Sequence, residues 1–270
     1  MGLSVLMSLY RNEKKEYLEQ AIHSIMQQTL MPDEIVLIKD GSLTDALDKV
    51  VDAWQKDCPI LKIHGFAENK QLGRALQKGV TLCSNDLIAR MDTDDIMVAT
   101  RLEHQFAYMQ NHPEISAVGG YIEEFDDKME YGKVKKMPFG YKVVGQYGKF
   151  RNPLNHMTVM FRKKAVLEAG NYKHFPYLED YHLWIRMLAI GQKLENMSEV
   201  LVRVRTNEGV YNRRGGLRYF ARYCKLRKMQ YQLDLLNMCE FLQSICFTMF
   251  MTLIPSFLRK IVYRRGLRRE

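Results

Sequence analysis

Short apolar runs alternate with helically spaced apolar positions through the first ninety residues of the chain. Leu3 to Leu9 and Ile35-Val36-Leu37-Ile38 are runs suited to strands buried on both faces. Between them, Leu18, Ile22, Ile25 and Met26 fall at helical spacing within Tyr17 to Thr29. Asp40-Gly41-Ser42 reads as a turn, and Leu47, Val50, Val51 and Trp54 after it predict a second helix. Ile60 to Ile63 predicts a third strand, Gln71 to Leu82 a helix with Leu72, Ala75, Leu76 and Val80 on one face, and Asp86 to Met91 a fourth strand. The resulting β-α-β-α-β-α-β order predicts an α/β fold with a mostly parallel, doubly wound sheet flanked by helices. Beyond Asp95 the pattern is less regular: a helix over Arg101 to Gln110, strands over Ile115 to Phe125 and Met157 to Phe161, and a helix opening at Glu179.

Charge divides the chain more sharply than hydropathy does. Residues 213–270 carry 13 Lys/Arg against Asp234, Glu240 and Glu270, whereas the first 212 hold 27 basic and 28 acidic residues. We therefore expect a near-neutral domain over 1–212 and a basic, amphipathic helical extension over 213–270. Phe241 to Leu258 is free of formal charge for 18 residues and is followed by Arg259-Lys260, Arg264-Arg265 and Arg268-Arg269. Its length is at the lower limit for a membrane span, and Gln243, Ser244, Thr248, Thr252 and Pro255 argue against one. A segment lying in an anionic membrane surface fits better, and the alternatives are a helix packed on the protein's own core, a true span or a nucleic-acid tail. The basic and aromatic residues form no groove-reading or stacking motif, so no nucleic-acid partner is expected.

The five cysteines are scattered without C-x-x-C spacing, and the N-terminus enters the first strand without a basic region and cleavage site. Both point to a cytoplasmic protein, and the tail to one peripheral on the inner face of the plasma membrane.

The chemistry concentrates in two acidic stretches 88 positions apart, Asp92-Thr93-Asp94-Asp95 and Glu179-Asp180. The first follows the apolar run Leu87-Ile88-Ala89, so its carboxylates sit where an open α/β sheet binds ligands. Three carboxylates in four residues repel one another, a repulsion that a divalent cation with oxygen ligands relieves. For any one of these acids, helix capping or an Asp-rich turn is the competing reading. Glu179 and Asp180 at a helix start are also explained by the helix dipole alone.

Five ordered stretches then resemble the inverting family-2 glycosyltransferases of the GT-A fold: Ser4 to Glu13, Ile38-Lys39-Asp40-Gly41-Ser42, Asn69 to Leu76, Asp92-Thr93-Asp94-Asp95 and Glu179-Asp180. The resemblance covers roughly residues 2 to 205 and is nearest to bacterial enzymes that extend O-antigen, capsule or exopolysaccharide units on a polyprenyl-diphosphate carrier. It implies a UDP-sugar donor, a polyprenyl-diphosphate-linked saccharide acceptor, and Mg²⁺ or Mn²⁺ as cofactor. On the donor side it implies Ser8, Tyr10 stacked on the base, Asp40 accepting the base imide N–H, Arg74 reaching the diphosphate, and Asp92 on the ribose. Asp94 is implied as the metal ligand and Asp180 as the general base, with Glu179 beside it facing the acceptor.

Two residues keep two readings. His156 stands either near the metal or in a structural role beside its strand, and Trp184 either lies under the acceptor sugar or belongs to the core. His182 occupies a place where relatives often carry another acid. Transfer to a polyprenyl monophosphate, or a nucleotide-sugar-binding subunit without turnover, are the rival functions.

Overall fold

The computed structural model describes residues 2–126, 128–206 and 216–253. Its first half follows the hydropathy pattern: β1 (Leu3–Leu9), α1 (Lys15–Met26), β2 (Glu34–Asp40), α2 (Asp45–Asp57), β3 (Leu61–Phe66), α3 (Leu72–Leu82) and β4 (Leu87–Met91). β1 pairs parallel with β2 on one side and β4 on the other, and β3 joins β2, also parallel. Side-chain alternation along β1 feeds both faces. Leu3, Val5, Met7 and Leu9 pack with Leu18, Ile22 and Ile25 of α1 and Leu47 and Val51 of α2. Leu6 packs on the opposite face with Ala75, Leu76 and Val80 of α3.

The second half differs from the expected mostly parallel sheet. It adds β5 (Ile96–Met97), α4 (Arg101–Asn111), β6 (Ile115–Phe125), β7 (Tyr131–Lys135), α5 (Tyr141–Gly148), β8 (Met160–Arg162), α6 (Lys163–Glu168), α7 (Glu179–Ala189) and β9 (Lys193–Arg205). The order across the sheet is β3-β2-β1-β4-β8-β6-β9-β5, with β7 on β6. β8 runs antiparallel to both β4 and β6, and β5 antiparallel to β9, so the sheet is mixed. The strand expected over Met157 to Phe161 starts later, because His156–Thr158 form a 3₁₀ turn in which Thr158 Oγ1 donates to the Asn155 carbonyl.

Two helices follow, α8 (Leu217–Gln232) and α9 (Met238–Leu253). Leu226 of α8 packs with Leu178, Tyr181 and Ile185 around α7. α9 turns Ser244, Thr248 and Thr252 inward, their hydroxyls donating to the carbonyls of Phe241, Ser244 and Thr248. Its exposed side chains include Met238, Leu242, Phe247, Met249 and Phe250. No helix among the described residues is long and apolar enough to cross a membrane. The uncharged stretch Phe241 to Leu258 is described only as far as residue 253, and Arg259, Lys260, Arg264, Arg265, Arg268 and Arg269 lie outside the described residues.

Candidate active site

β2 and β4 flank β1, and the chain crosses back over the sheet to reach β4, so the carboxyl ends of β1 and β4 form the switch point where open α/β sheets bind ligands. Ser8 is half-buried near the end of β1, opposite Ile38, and Tyr10 is exposed just beyond it. Asp40 closes β2 and is buried under the Asn69-Lys70 segment: its Oδ1 accepts from the Lys70 amide at 2.6 Å, and its carbonyl from Asn69 Nδ2 at 3.2 Å. Burial pushes its carboxyl above the usual range, against the hydrogen bonds from the Lys70 and Gln71 amides. Gly41 enables this turn. It has φ +90°, and a Cβ there would stand 2.7 Å from the Asn69 nitrogen.

α3 begins after Gln71, a non-glycine residue at φ +69°. Arg74 is exposed in its first turn with Nη1 donating to Gln77 Oε1 at 2.9 Å. The same turn touches α7, since a Cβ on Gly73 would lie 2.6 Å from the Lys173 carbonyl oxygen and 3.5 Å from Glu179 Cβ. The helix start carrying Arg74 therefore lies beside the helix start carrying Glu179 and Asp180.

At the end of β4, carboxylate oxygens of Asp92, Asp94 and Asp95 lie within 4.8 Å of one another. The three are not equivalent. Asp92 meets the guanidinium of Arg90, a side chain that is only 2% exposed. Asp95 is buried and its Oδ1 accepts the Arg205 amide at 2.9 Å. Among the described residues no basic side chain pairs with Asp94, whose own amide is its hydrogen-bond donor; burial, then Asp92 and Glu13, push it up to about 7. Glu13 closes the cluster through a 3.0 Å hydrogen bond from Thr93 Oγ1, and it too is raised, chiefly by burial. Hard oxygen donors crowded at this separation, with one left protonation-prone by its neighbours, suit Mg²⁺ or Mn²⁺.

Glu179 and Asp180 open α7. Glu179 is buried, its Oε2 without a hydrogen-bond partner, and burial followed by the Asp180 charge raises it to about 7. Asp180 is raised by burial as well, but Asn152 Nδ2 donates to its Oδ2 at 2.5 Å and favours the ionised form. The charge of Arg90 reaches Asp94, Asp95, Glu179 and Asp180, so the two acidic stretches share one electrostatic neighbourhood.

Two expectations are corrected. Trp184 has no exposed surface and belongs to the core beside Leu183 and Met187, so it offers no face to an acceptor sugar. His156 stands outside the carboxylate cluster; its Nε2 is engaged by Tyr172 Oη at 2.9 Å, and burial holds the ring neutral. It is a structural histidine, packed edge-on to Trp184 at 6.2 Å. His182 is likewise inward, stacked on Phe175 and pushed down to about 4 by burial, then by Arg186 and Lys173. Sequence reasoning missed Arg90, Glu13, Asn152 and Arg205. Two of them left a local trace: Glu13 ends the first family-like stretch, and Arg90 is a charge inside the apolar run Leu87 to Met91.

The family model for glycosyl transferase family 2 matches residues 4–170. The chain belongs to glycosyl transferase family 2. Among family members it is 41% identical over 229 residues to the amylovoran biosynthesis glycosyltransferase AmsE of Erwinia amylovora, covering 84% of this chain and 85% of that one. It is 33% identical over 269 residues to the UDP-Gal:alpha-D-GlcNAc-diphosphoundecaprenol beta-1,3-galactosyltransferase of Escherichia coli, covering 98% and 96% of the two chains. In fold it is similar to S. aureus TarS 1-349 in complex with UDP-GlcNAc, at TM-score 0.71 and 15% identity, covering 99% of this chain and 76% of that one. The mixed sheet with helices on both faces is thus the GT-A fold of a family-2 glycosyltransferase.

Proposed function

We propose that this family-2 enzyme transfers one hexose or N-acetylhexosamine from a UDP-sugar to a polyprenyl-diphosphate-linked saccharide, with inversion, in the assembly of a bacterial surface polysaccharide. The observation that carries this reading is the gathering of Asp92, Asp94, Glu179 and Asp180 around the buried guanidinium of Arg90, at the switch point of the sheet. Its relatives named for amylovoran biosynthesis and for galactosyl transfer to GlcNAc-diphosphoundecaprenol support the substrate class.

In this reading Tyr10 stacks on the uracil ring and Asp40 accepts its imide N–H, while Ser8 lines the same end of β1. Asp92, fixed by Arg90, faces the ribose. Asp94 would hold Mg²⁺ or Mn²⁺, which when bound stabilises negative charge on the departing diphosphate. Arg74 swings from Gln77 toward the same phosphates. Asp180 takes the proton from the acceptor hydroxyl as that oxygen attacks the anomeric carbon from the face opposite the diphosphate. One in-line displacement inverts the anomeric centre, and Glu179 lines the acceptor side.

The acceptor's lipid places the reaction at a membrane. α9 supports docking there, because it turns its hydroxyl side chains inward and leaves Leu242, Phe247, Met249 and Phe250 outward, ahead of a basic tail. The test is UDP release from a panel of UDP-glucose, UDP-galactose, UDP-GlcNAc and UDP-GalNAc, with and without GlcNAc-diphosphoundecaprenol. Acceptor-dependent release from one donor is expected; binding of a donor without release in any combination would reduce the chain to a nucleotide-sugar-binding subunit.

A further inference from the structure

α8 buries one face, with Tyr219, Leu226, Arg227 and Gln230 inward. Arg227 is 2% exposed, and among the described residues no carboxylate pairs with it. A guanidinium taken out of water without a counter-ion is costly, so what it touches is informative. Its Nη1 and Nη2 donate to the carbonyl oxygens of Lys149 and Phe150, each at 2.6 Å. Gln230 Nε2 donates to the same Lys149 carbonyl at 2.8 Å and to that of Gly148 at 3.3 Å, and Tyr181 Oη donates to Gly148 at 2.9 Å. These carbonyls end α5, where helix oxygens lack internal donors and a cation is favoured.

Two residues further on, Asn152 donates to Asp180. The other end of that amide, Oδ1, is buried without a partner, so backbone placement rather than a second side-chain bond aims it. α8 also packs on the helix that carries the same acid. Leu226 packs on Leu178, Tyr181 and Ile185, Arg227 Nη1 lies 3.2 Å from Tyr181 Oη, and Arg222 sits over the ring of Tyr177 at 4.8 Å. Tyr177 has φ +69°, a strained backbone for a tyrosine, three residues before Asp180.

We propose that Arg227, a residue of the C-terminal extension, is a positioning residue for the catalytic base: it clamps the end of α5 so that Asn152 reaches Asp180. The proposal rests on the reading of Asp180 as that base. The groups acting on Asp180 are Asn152 from the segment after α5, the backbone amides of Tyr181 and of Asp180 itself and the Glu179 carboxylate on its own helix, Arg90 from β4 and Tyr172 from the loop before α7. Of these, Asn152 follows the clamped end of α5, whereas the Tyr181 amide is fixed by α7 itself, with Arg227 touching only the Tyr181 ring and hydroxyl. The extension that carries the membrane-facing helix therefore also completes the catalytic site.

The test uses the full-length protein, UDP release from the most active donor of the panel above, and the variants Asp180→Asn, Asn152→Ala, Arg227→Met, Arg227→Lys and the Asn152→Ala/Arg227→Met double. Asn152→Ala and Arg227→Met should each lower kcat on the order of 10- to 100-fold, as for other displaced catalytic groups, with donor KM little changed. Both should move the acidic limb of the kcat profile to higher pH, because the base loses a donor to its ionised form. The double variant should be no slower than Asn152→Ala alone within about twofold, since the two act in series.

Arg227→Lys keeps the buried charge but loses the planar two-nitrogen fork that spans the two carbonyls, so it should show the same shift more weakly. It decides the matter if Arg227→Met does not fold. Wild-type kcat and pH profile in the folded Arg227 variants, with only Tm lowered, would overturn the inference, as would multiplicative losses in the double variant. Persistence of turnover in Asp180→Asn would instead overturn the assignment of the base.

Discussion

Arg90 points its guanidinium at Asp92 from within the same strand end, and at 2% exposure it has no water to fall back on. The two acids of the Asp92-Thr93-Asp94 stretch should therefore respond in opposite ways to removal. Asp92→Ala takes from the buried Arg90 the carboxylate that accepts its hydrogen bond and should destabilise the fold by about 1.5–3 kcal/mol. Asp94→Ala removes a carboxylate that its neighbours already disfavour and should leave stability unchanged or raised. Urea unfolding of both variants in chelator reads the contrast; equal losses would show that the Arg90 pair supports nothing.

Stability of the metal-free protein should fall from acid to neutral pH. Asp94 and Glu179 titrate near 7 when folded, above the ordinary carboxylate range near 4 that they regain on unfolding. Such groups stabilise the fold fully below their unfolded pKa, and that contribution is lost as pH rises through their folded pKa. Tm in chelator should drop between about pH 4 and about pH 7 for this reason. Mn²⁺ binds the ionised form, so it should restore Tm at the upper end of that window and do little at the lower. A Tm indifferent to Mn²⁺ at neutral pH would remove the cation from the Asp92 to Asp95 cluster.

Asp180→Asn keeps the shape of the side chain but removes its charge. Turnover should fall by about 10²- to 10⁴-fold, the usual worth of a positioned base, while UDP-sugar affinity measured by calorimetry stays within about twofold. Near-native turnover would pass the role to Glu179.

The outward apolar side of α9 predicts membrane docking that depends on the residues after it. Deleting 254–270 removes Arg259, Lys260, Arg264, Arg265, Arg268 and Arg269, each contributing roughly 1 kcal/mol near an anionic surface. Co-sedimentation with vesicles containing phosphatidylglycerol should be lost, with donor binding kept. Undiminished sedimentation of the shortened chain would assign docking elsewhere.

β1 to β4 were legible because strands covered on both faces are apolar throughout, and their helices show one apolar stripe each. β9 was not, since Glu195 and Asn196 interrupt it while buried. Glu195 accepts from the Gly140 amide, and Asn196 donates to the Pro138 and Pro153 carbonyls, partners that no local pattern announces. The candidate site divides in the same way. Its carboxylates cluster in sequence, whereas Asn152 meets Asp180 from 28 residues away and Arg227 meets Tyr181 from 46. Trp184 was ambiguous because an aromatic on a helical stripe serves a sugar face or a core equally well until its exposure is known.

The antiparallel strand β8 separates the sheet into two parts with different freedom to change. Tyr10, Asp40, Arg74 and Asp92 all belong to the first 92 residues, at or just past the ends of β1, β2 and β4 or on α3, elements whose core side chains pack over both faces of the parallel strands. The exposed strand β7 and the turn before α5 border none of that packing. Descendants of one ancestor can therefore vary β7 and that turn, residue by residue or by insertion, while inheriting the first part intact.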